Sequence, residues 1–156
     1  MIADICRHIN EKVKDDRCIY YTIENNSIGE AAIVSLNDFG EINIPGYFLT
    51  EPGTKRRGFN TSHKPKIAAC AKLKTLIESQ RMIINSRPLI SELKTFVASG
   101  VSYAAKPGEH DDLVMATVLI VRMLGVLQNY HQELDGQISD HSDNTIEPMP
   151  FVVMIS

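Results

Sequence analysis

Hydrophobic positions recur along the chain in short groups, and their spacing predicts alternating helices and strands. Ile2, Ile5, Ile9 and Val13 fall at helical spacing and predict an amphipathic helix over 2–14. Cys18-Ile19-Tyr20-Tyr21-Thr22-Ile23 is rich in β-branched and aromatic residues and predicts a buried strand, ended by Glu24-Asn25-Asn26. A helix then opens at Ile28-Gly29-Glu30, with Ile28, Ala32 and Leu36 along one face and Asn37-Asp38-Phe39-Gly40 as its stop. Residues 42–49 predict a strand interrupted by Pro45-Gly46. A helix from Ser62 or His63 to Ser79 carries Pro65 in its first turn, buries Ile67, Cys70, Leu73 and Leu76, and turns Lys64, Lys66, Lys72 and Lys74 to solvent. Residues 81–84 predict a short strand, and Ser86 caps a helix with Ile90, Leu93 and Val97 on its inner face and Gly100 as its end. Residues 101–104 predict one more short strand. The last apolar run, Leu113 to Leu127, is interrupted only by Arg122 and predicts a helix buried nearly all round.

This alternation of short strands and helices argues an α/β fold with an at least partly parallel sheet. At 156 residues one domain is expected, long enough to bury a proper core. We place the domain at residues 1–128. Residues 129–156 hold five acids and no Lys or Arg, and read as an acidic, partly flexible tail whose apolar end, Phe151 to Ile155, docks on the domain or on a partner. Cys6, Cys18 and Cys70 have no metal-type spacing and an odd count, so they read as packed, reduced thiols of an intracellular protein. Met1-Ile2-Ala3-Asp4 is too polar to open a signal peptide, and the longest apolar run is too short to span a bilayer comfortably, so no membrane is expected.

Charge changes the picture. The net charge is only −3, but residues 51–74 carry seven Lys or Arg against the single acid Glu51. Thr50 to Asn60, with two glycines, a proline and the successive cations Lys55, Arg56 and Arg57, describes a basic surface loop. A compact basic island in an acidic protein is the footprint of a phosphate-backbone partner; the plain alternative is a solvated face.

The candidate chemistry lies in the acids. Glu24 sits at the carboxyl end of a buried strand, where open α/β sheets place functional groups. In Gly108-Glu109-His110-Asp111-Asp112-Leu113-Val114-Met115-Ala116, two adjacent carboxylates stand at the mouth of the last helix. The plain reading is that Asp111 or Asp112 caps that helix and complements its dipole. The functional reading is that a rigid helix start and a strand end bring carboxylates together to share hard divalent cations such as Mg²⁺ or Mn²⁺. Two cations about 4 Å apart are the usual device for cutting a phosphodiester.

The stretches Tyr21 to Gly29 and Gly108 to Ala116, with Lys55-Arg56-Arg57-Gly58-Phe59-Asn60-Thr61 and the helix after it, resemble the nuclease domain of tailed-phage terminase large subunits, most of all the myophage type. The resemblance covers roughly residues 1 to 127. It implies an RNase H-like fold, here partial, a mixed sheet flanked by helices. It implies metal-dependent endonucleolytic cleavage of concatemeric double-stranded DNA during genome packaging, with a two-metal Mg²⁺ or Mn²⁺ site. It implies as partners double-stranded DNA, the terminase ATPase part or small subunit, and the portal protein, in the host cell cytoplasm. In the family three acids hold the metals. Glu24 matches the second and Asp111 or Asp112 the third, with His110 as a proton handler or a support behind the ligands. Lys55, Arg56, Arg57, Lys64 and Lys66 are the implied DNA contacts. The first acid, an Asp on an earlier strand, has no match in these residues, and no Gly-x-x-x-x-Gly-Lys-Ser/Thr occurs. The isolated chain is therefore expected to be a poor nuclease. A non-catalytic DNA-binding or assembly module, or another RNase H-like nuclease such as a junction resolvase, are the competing readings.

Overall fold

The computed structural model describes residues 1–15 and 19–140, with side chains to 129. In chain order the elements are α1 (Ile2–Val13), β1 (Tyr20–Tyr21), α2 (Ser27–Phe39), a 3₁₀ turn (Glu41–Asn43), β2 (Tyr47–Phe48), α3 (His63–Glu78), α4 (Arg87–Thr95), β3 (Phe96–Ser99), β4 (Ser102–Ala105) and α5 (Asp112–Asp140). Residues 1–123 form one compact unit. Of the second unit, which begins at Leu124, the structure describes helical backbone to Asp140.

The fold is α/β with small sheets. β1 and β2 are parallel, pairing Tyr20 with Tyr47 and Tyr21 with Phe48. β3 and β4 form an antiparallel hairpin, from Phe96 opposite Ala105 to Ser99 opposite Ser102. One core cluster joins α3 to α5 through Ala69, Cys70, Leu73, Val114, Val118 and Val121, with Leu89, Leu93, Phe96 and Tyr103 packed against it. A second joins Cys6 of α1, Leu36 of α2 and Ile44, with Tyr21, Ile23 and Phe48 around them.

Several elements differ from the sequence reading, each for a local reason. α2 buries Gly29, Ile33 and Leu36, while Ile28 is 81% exposed, so the inner face is turned by one position. The cause is Gly29. A Cβ there would stand 1.7 Å from the Glu24 carbonyl oxygen, so this bare side has to face the strand. Residues 81–84 are not a strand. Arg81 N and Met82 N both donate to the Leu76 carbonyl and wrap the chain back over the end of α3, leaving Ile83 exposed. α4 ends at Thr95, five residues early, and Phe96 and Val97 begin β3 instead of continuing the helix. Gly100, at φ 59°, sits at the first turn position between β3 and β4, the place that a tight II′ hairpin reserves for glycine.

α5 is both longer and less enclosed than expected. It continues through the polar stretch from Asn129 to Asp140, and residues 141–156 of the expected tail lie outside the described residues, as does Cys18. Val114, Thr117, Val118 and Val121 are buried, but Leu113 and Ile120 are 41% and 50% exposed. Residues 112–129 are long and apolar enough to cross a membrane by length and composition alone. The valines Val114, Val118 and Val121 pack in the α3 core, and Arg122 pairs with Glu51.

Candidate functional site

The site begins where β1 ends. Ile19, Tyr21 and Ile23 offer their carbonyls in turn to Tyr47 N (2.8 Å), Leu49 N (2.8 Å) and Phe59 N (3.1 Å), so the extended line of β1 runs on beyond Tyr21. Glu24 makes a parallel bridge with Phe59, and Asn25 N closes it by donating to the Phe59 carbonyl at 2.8 Å. Asn26 then caps α2, its Oδ1 accepting from Gly29 N at 2.8 Å. Glu24 is thereby fixed between a strand end and a helix start. The residue is half-buried, and its carboxylate accepts an exposed bond from Asn26 Nδ2 at 3.1 Å.

The basic loop lies beside this strand end. Asn25 Nδ2 donates to the Arg57 carbonyl at 2.9 Å, and Gly58 at φ 81° passes so close that a Cβ would stand 2.3 Å from the Ile23 carbonyl oxygen. The five cations named from the sequence divide into two kinds. Arg57 is turned inward: it pairs with Glu41, donates to Asn37 Oδ1, and lies 4.5 Å over the Phe48 ring. Lys66 is half-buried, its ammonium 6.0 Å over Phe96. Lys55 and Lys64 are exposed, and exposed Arg56 lies 3.5 Å from Glu30. The far end of the loop is held by Glu51, which pairs with Arg122 of α5 and accepts from Asn60 N at 3.2 Å; Arg122 also donates to the Asn60 carbonyl at 2.8 Å and covers Phe59 at 5.0 Å.

The aspartate pair sits on a different support. After β4 a turn closed by Glu109 N on the Lys106 carbonyl (2.9 Å) leads to exposed His110. The Asp111 carbonyl accepts Met115 N at 2.8 Å, which makes Asp111 the residue flanking α5 at its start. Its carboxylate does not cap the helix. Asp111 Oδ2 accepts from Ala105 N at 3.3 Å, at the end of β4. The free amides of α5, Leu113 N and Val114 N, donate instead to Glu92 Oε2 of α4, at 2.8 and 3.1 Å. The plain reading of the pair as caps is thus corrected: an acid from another helix holds that place. Asp112 is exposed and has no hydrogen-bond or ion-pair partner among the described residues. Glu92 was missed from the sequence because a carboxylate mid-helix, at no fixed spacing from the motif, carries no local signal.

Carboxylate oxygens are the donors that Mg²⁺ and Mn²⁺ take. Among the described residues, however, no three of His, Cys, Asp or Glu form a group that could hold a metal ion. The acids are right in kind for those cations, but the described residues do not gather three of them within one ion's reach.

Outside the acids the titratable groups that stand out are buried ones. Burial pushes the Cys6 and Cys70 thiols and the Tyr21 hydroxyl above their ordinary values, which marks them as packing groups.

The model of the terminase RNaseH-like domain family matches residues 5–124. That span contains the strand end with Glu24, the basic loop, and the first turns of α5 with both aspartates, which is every element of the site just described. The chain belongs to the terminase RNaseH-like domain family.

Proposed function

We propose that this chain is the nuclease part of a DNA-packaging terminase large subunit and that it supplies two of the three acids of a divalent-metal endonuclease site. Glu24 contributes one and the Asp111/Asp112 pair the other. The family match over residues 5–124, with both acid stretches inside it, carries the reading. The substrate is concatemeric double-stranded DNA. Its backbone lies along Lys55, Arg56 and Lys64, with Lys66 behind them, while Arg57 shapes the loop beside Glu24. His110, exposed next to the pair, is placed to handle a proton. Mg²⁺ or Mn²⁺ binds fully only when a further acid completes the set, from another segment or another chain, in company with the ATPase part or the small subunit and with the portal protein. The setting is the host cell cytoplasm.

The test is whether the two acid stretches share one cation. MnCl₂ is added to the full chain and backbone amide signals are followed by NMR, which reads even weak binding. The signals of Asn25 and Asn26 and those of Leu113 and Val114 should broaden together at the same Mn²⁺ concentration. Broadening at one stretch only, or at neither, contradicts a shared site.

A further inference from the structure

A residue at the N-cap ordinarily turns its side chain onto the amides of the second and third helical residues. For α5 the N-cap is Asp111, and those amides belong to Leu113 and Val114. Asp is among the best residues for this task, yet both amides are taken by Glu92 Oε2, which reaches across from α4. Asp111 is left to accept a longer bond from Ala105 N, and Asp112 is left without a partner among the described residues. Glu92 itself sits on a short helix fixed at both ends. Ser86 caps its start, with Oγ accepting Leu89 N at 3.4 Å, and Leu93, the next residue, packs against the core of α3 and α5.

We propose that Glu92 is a positioning residue: it caps α5 in place of Asp111 and so keeps both aspartate carboxylates off their own helix, available to a ligand. The helix start is polarised positive, and a carboxylate there is held by the dipole as well as by its hydrogen bonds. Without a foreign cap, Asp111 rotates inward onto Leu113 N and Val114 N and is lost to the site. The consequence for metal binding rests on the function proposed above; the exchange of caps does not.

A double-mutant cycle of Glu92→Ala and Asp111→Ala, read by thermal unfolding of the full chain, tests the exchange. Each single change should lower the melting temperature modestly, because Asp111 takes over in one variant and Glu92 remains in the other. The double variant should fall by clearly more than the sum, because α5 then has no cap. An additive double variant overturns the proposal. Glu92→Gln keeps an acceptor oxygen but not the charge that the dipole favours, and should recover a large part of the melting temperature lost in Glu92→Ala; no recovery also overturns it. A second arm follows the Mn²⁺ broadening of Leu113 and Val114. It should weaken in Glu92→Ala although both aspartates are intact, and return in Glu92→Gln. Equal broadening in wild type and Glu92→Ala shows that Glu92 does not govern the acids and overturns the positioning role. A cooperative cycle with no broadening even in wild type upholds the cap exchange and removes the metal reading of the pair instead.

Discussion

Removing either partner of the Arg122–Glu51 pair should destabilise the protein more than removing a partner of any other ion pair among the described residues, and removing both should cost little more than removing one. The Arg122 side chain is 9% exposed and that of Glu51 23%, so both groups have largely left water. Glu51→Ala strands the guanidinium. Breaking a buried pair from one side costs about 3–5 kcal/mol, and the surviving bond to the Asn60 carbonyl and the Phe59 face hold the loss to about 3 kcal/mol. Arg122→Ala removes a charge-assisted bond of about 1.5–3 kcal/mol and a ring contact of about 1 kcal/mol, for a loss of about 3–4 kcal/mol. If the two were independent the double variant would lose about 6–7 kcal/mol; with no charge stranded it should lose about 3–4 kcal/mol, a coupling of about 3 kcal/mol. Urea unfolding of the four proteins measures this. In thermal melts the single variants should fall by about 6–16 °C, at about 2–4 °C per kcal/mol for a chain of this size. Single losses below about 1 kcal/mol, or an additive double variant, would refute the argument, since exposed pairs behave that way.

The DNA contact makes a sharper division among the cations than charge alone. Lys55→Ala with Lys64→Ala should leave the melting temperature unchanged. It should flatten the slope of log affinity against log salt by about 2 for duplex DNA, at about 0.9 per phosphate contact, as read by fluorescence anisotropy. Arg57→Ala should instead lower stability by about 1 kcal/mol through loss of Glu41, Asn37 and the Phe48 face. An unchanged salt slope in the lysine variant would show that DNA lies elsewhere. Stability should also fall in alkali. Burial raises Cys6, Cys70 and Tyr21 above their ordinary 9.0, 9.0 and 10.0, so the folded chain keeps protons that the unfolded chain releases. That stabilisation is complete below those ordinary values and is lost as pH rises through the raised ones. Chemical denaturation should show stability level up to about pH 9 and falling above it, the fall reduced in Cys70→Ala; a flat profile above that pH would contradict it.

The helices α1, α2, α3 and the start of α5 were legible because apolar positions recur in them at helical spacing, although in α1 the buried residue is Cys6 while Ile5, Ile9 and Val13 of the expected stripe stay exposed. What misled was any feature decided by a distant partner. The inner face of α2 is set by the closeness of Gly29 to the Glu24 carbonyl, not by the apolar count, which favours Ile28. Phe96 and Val97 continue the helical pattern of α4, but pairing with Ala104 and Ala105 draws them into a strand. Of the candidate site, the acid stretches and the basic loop are named from sequence because each is local in the chain. The inward turn of Arg57 and the cap from Glu92 depend on contacts 16 and 21 residues away or more, and no spacing rule carries them.

On the function proposed above, Glu24 and the Asp111/Asp112 pair are two acids of a nuclease site that needs a third. Cleavage of supercoiled plasmid in MgCl₂ is the test. The purified 156-residue chain should leave the plasmid largely uncut, and adding a segment that brings the family's first Asp strand, as a fusion or a separate chain, should restore cutting. Glu24→Ala in the restored protein should abolish it again. Robust Mg²⁺-dependent cutting by the chain alone would contradict the account, because it would mean that Glu109 or the second member of the Asp111/Asp112 pair completes the site.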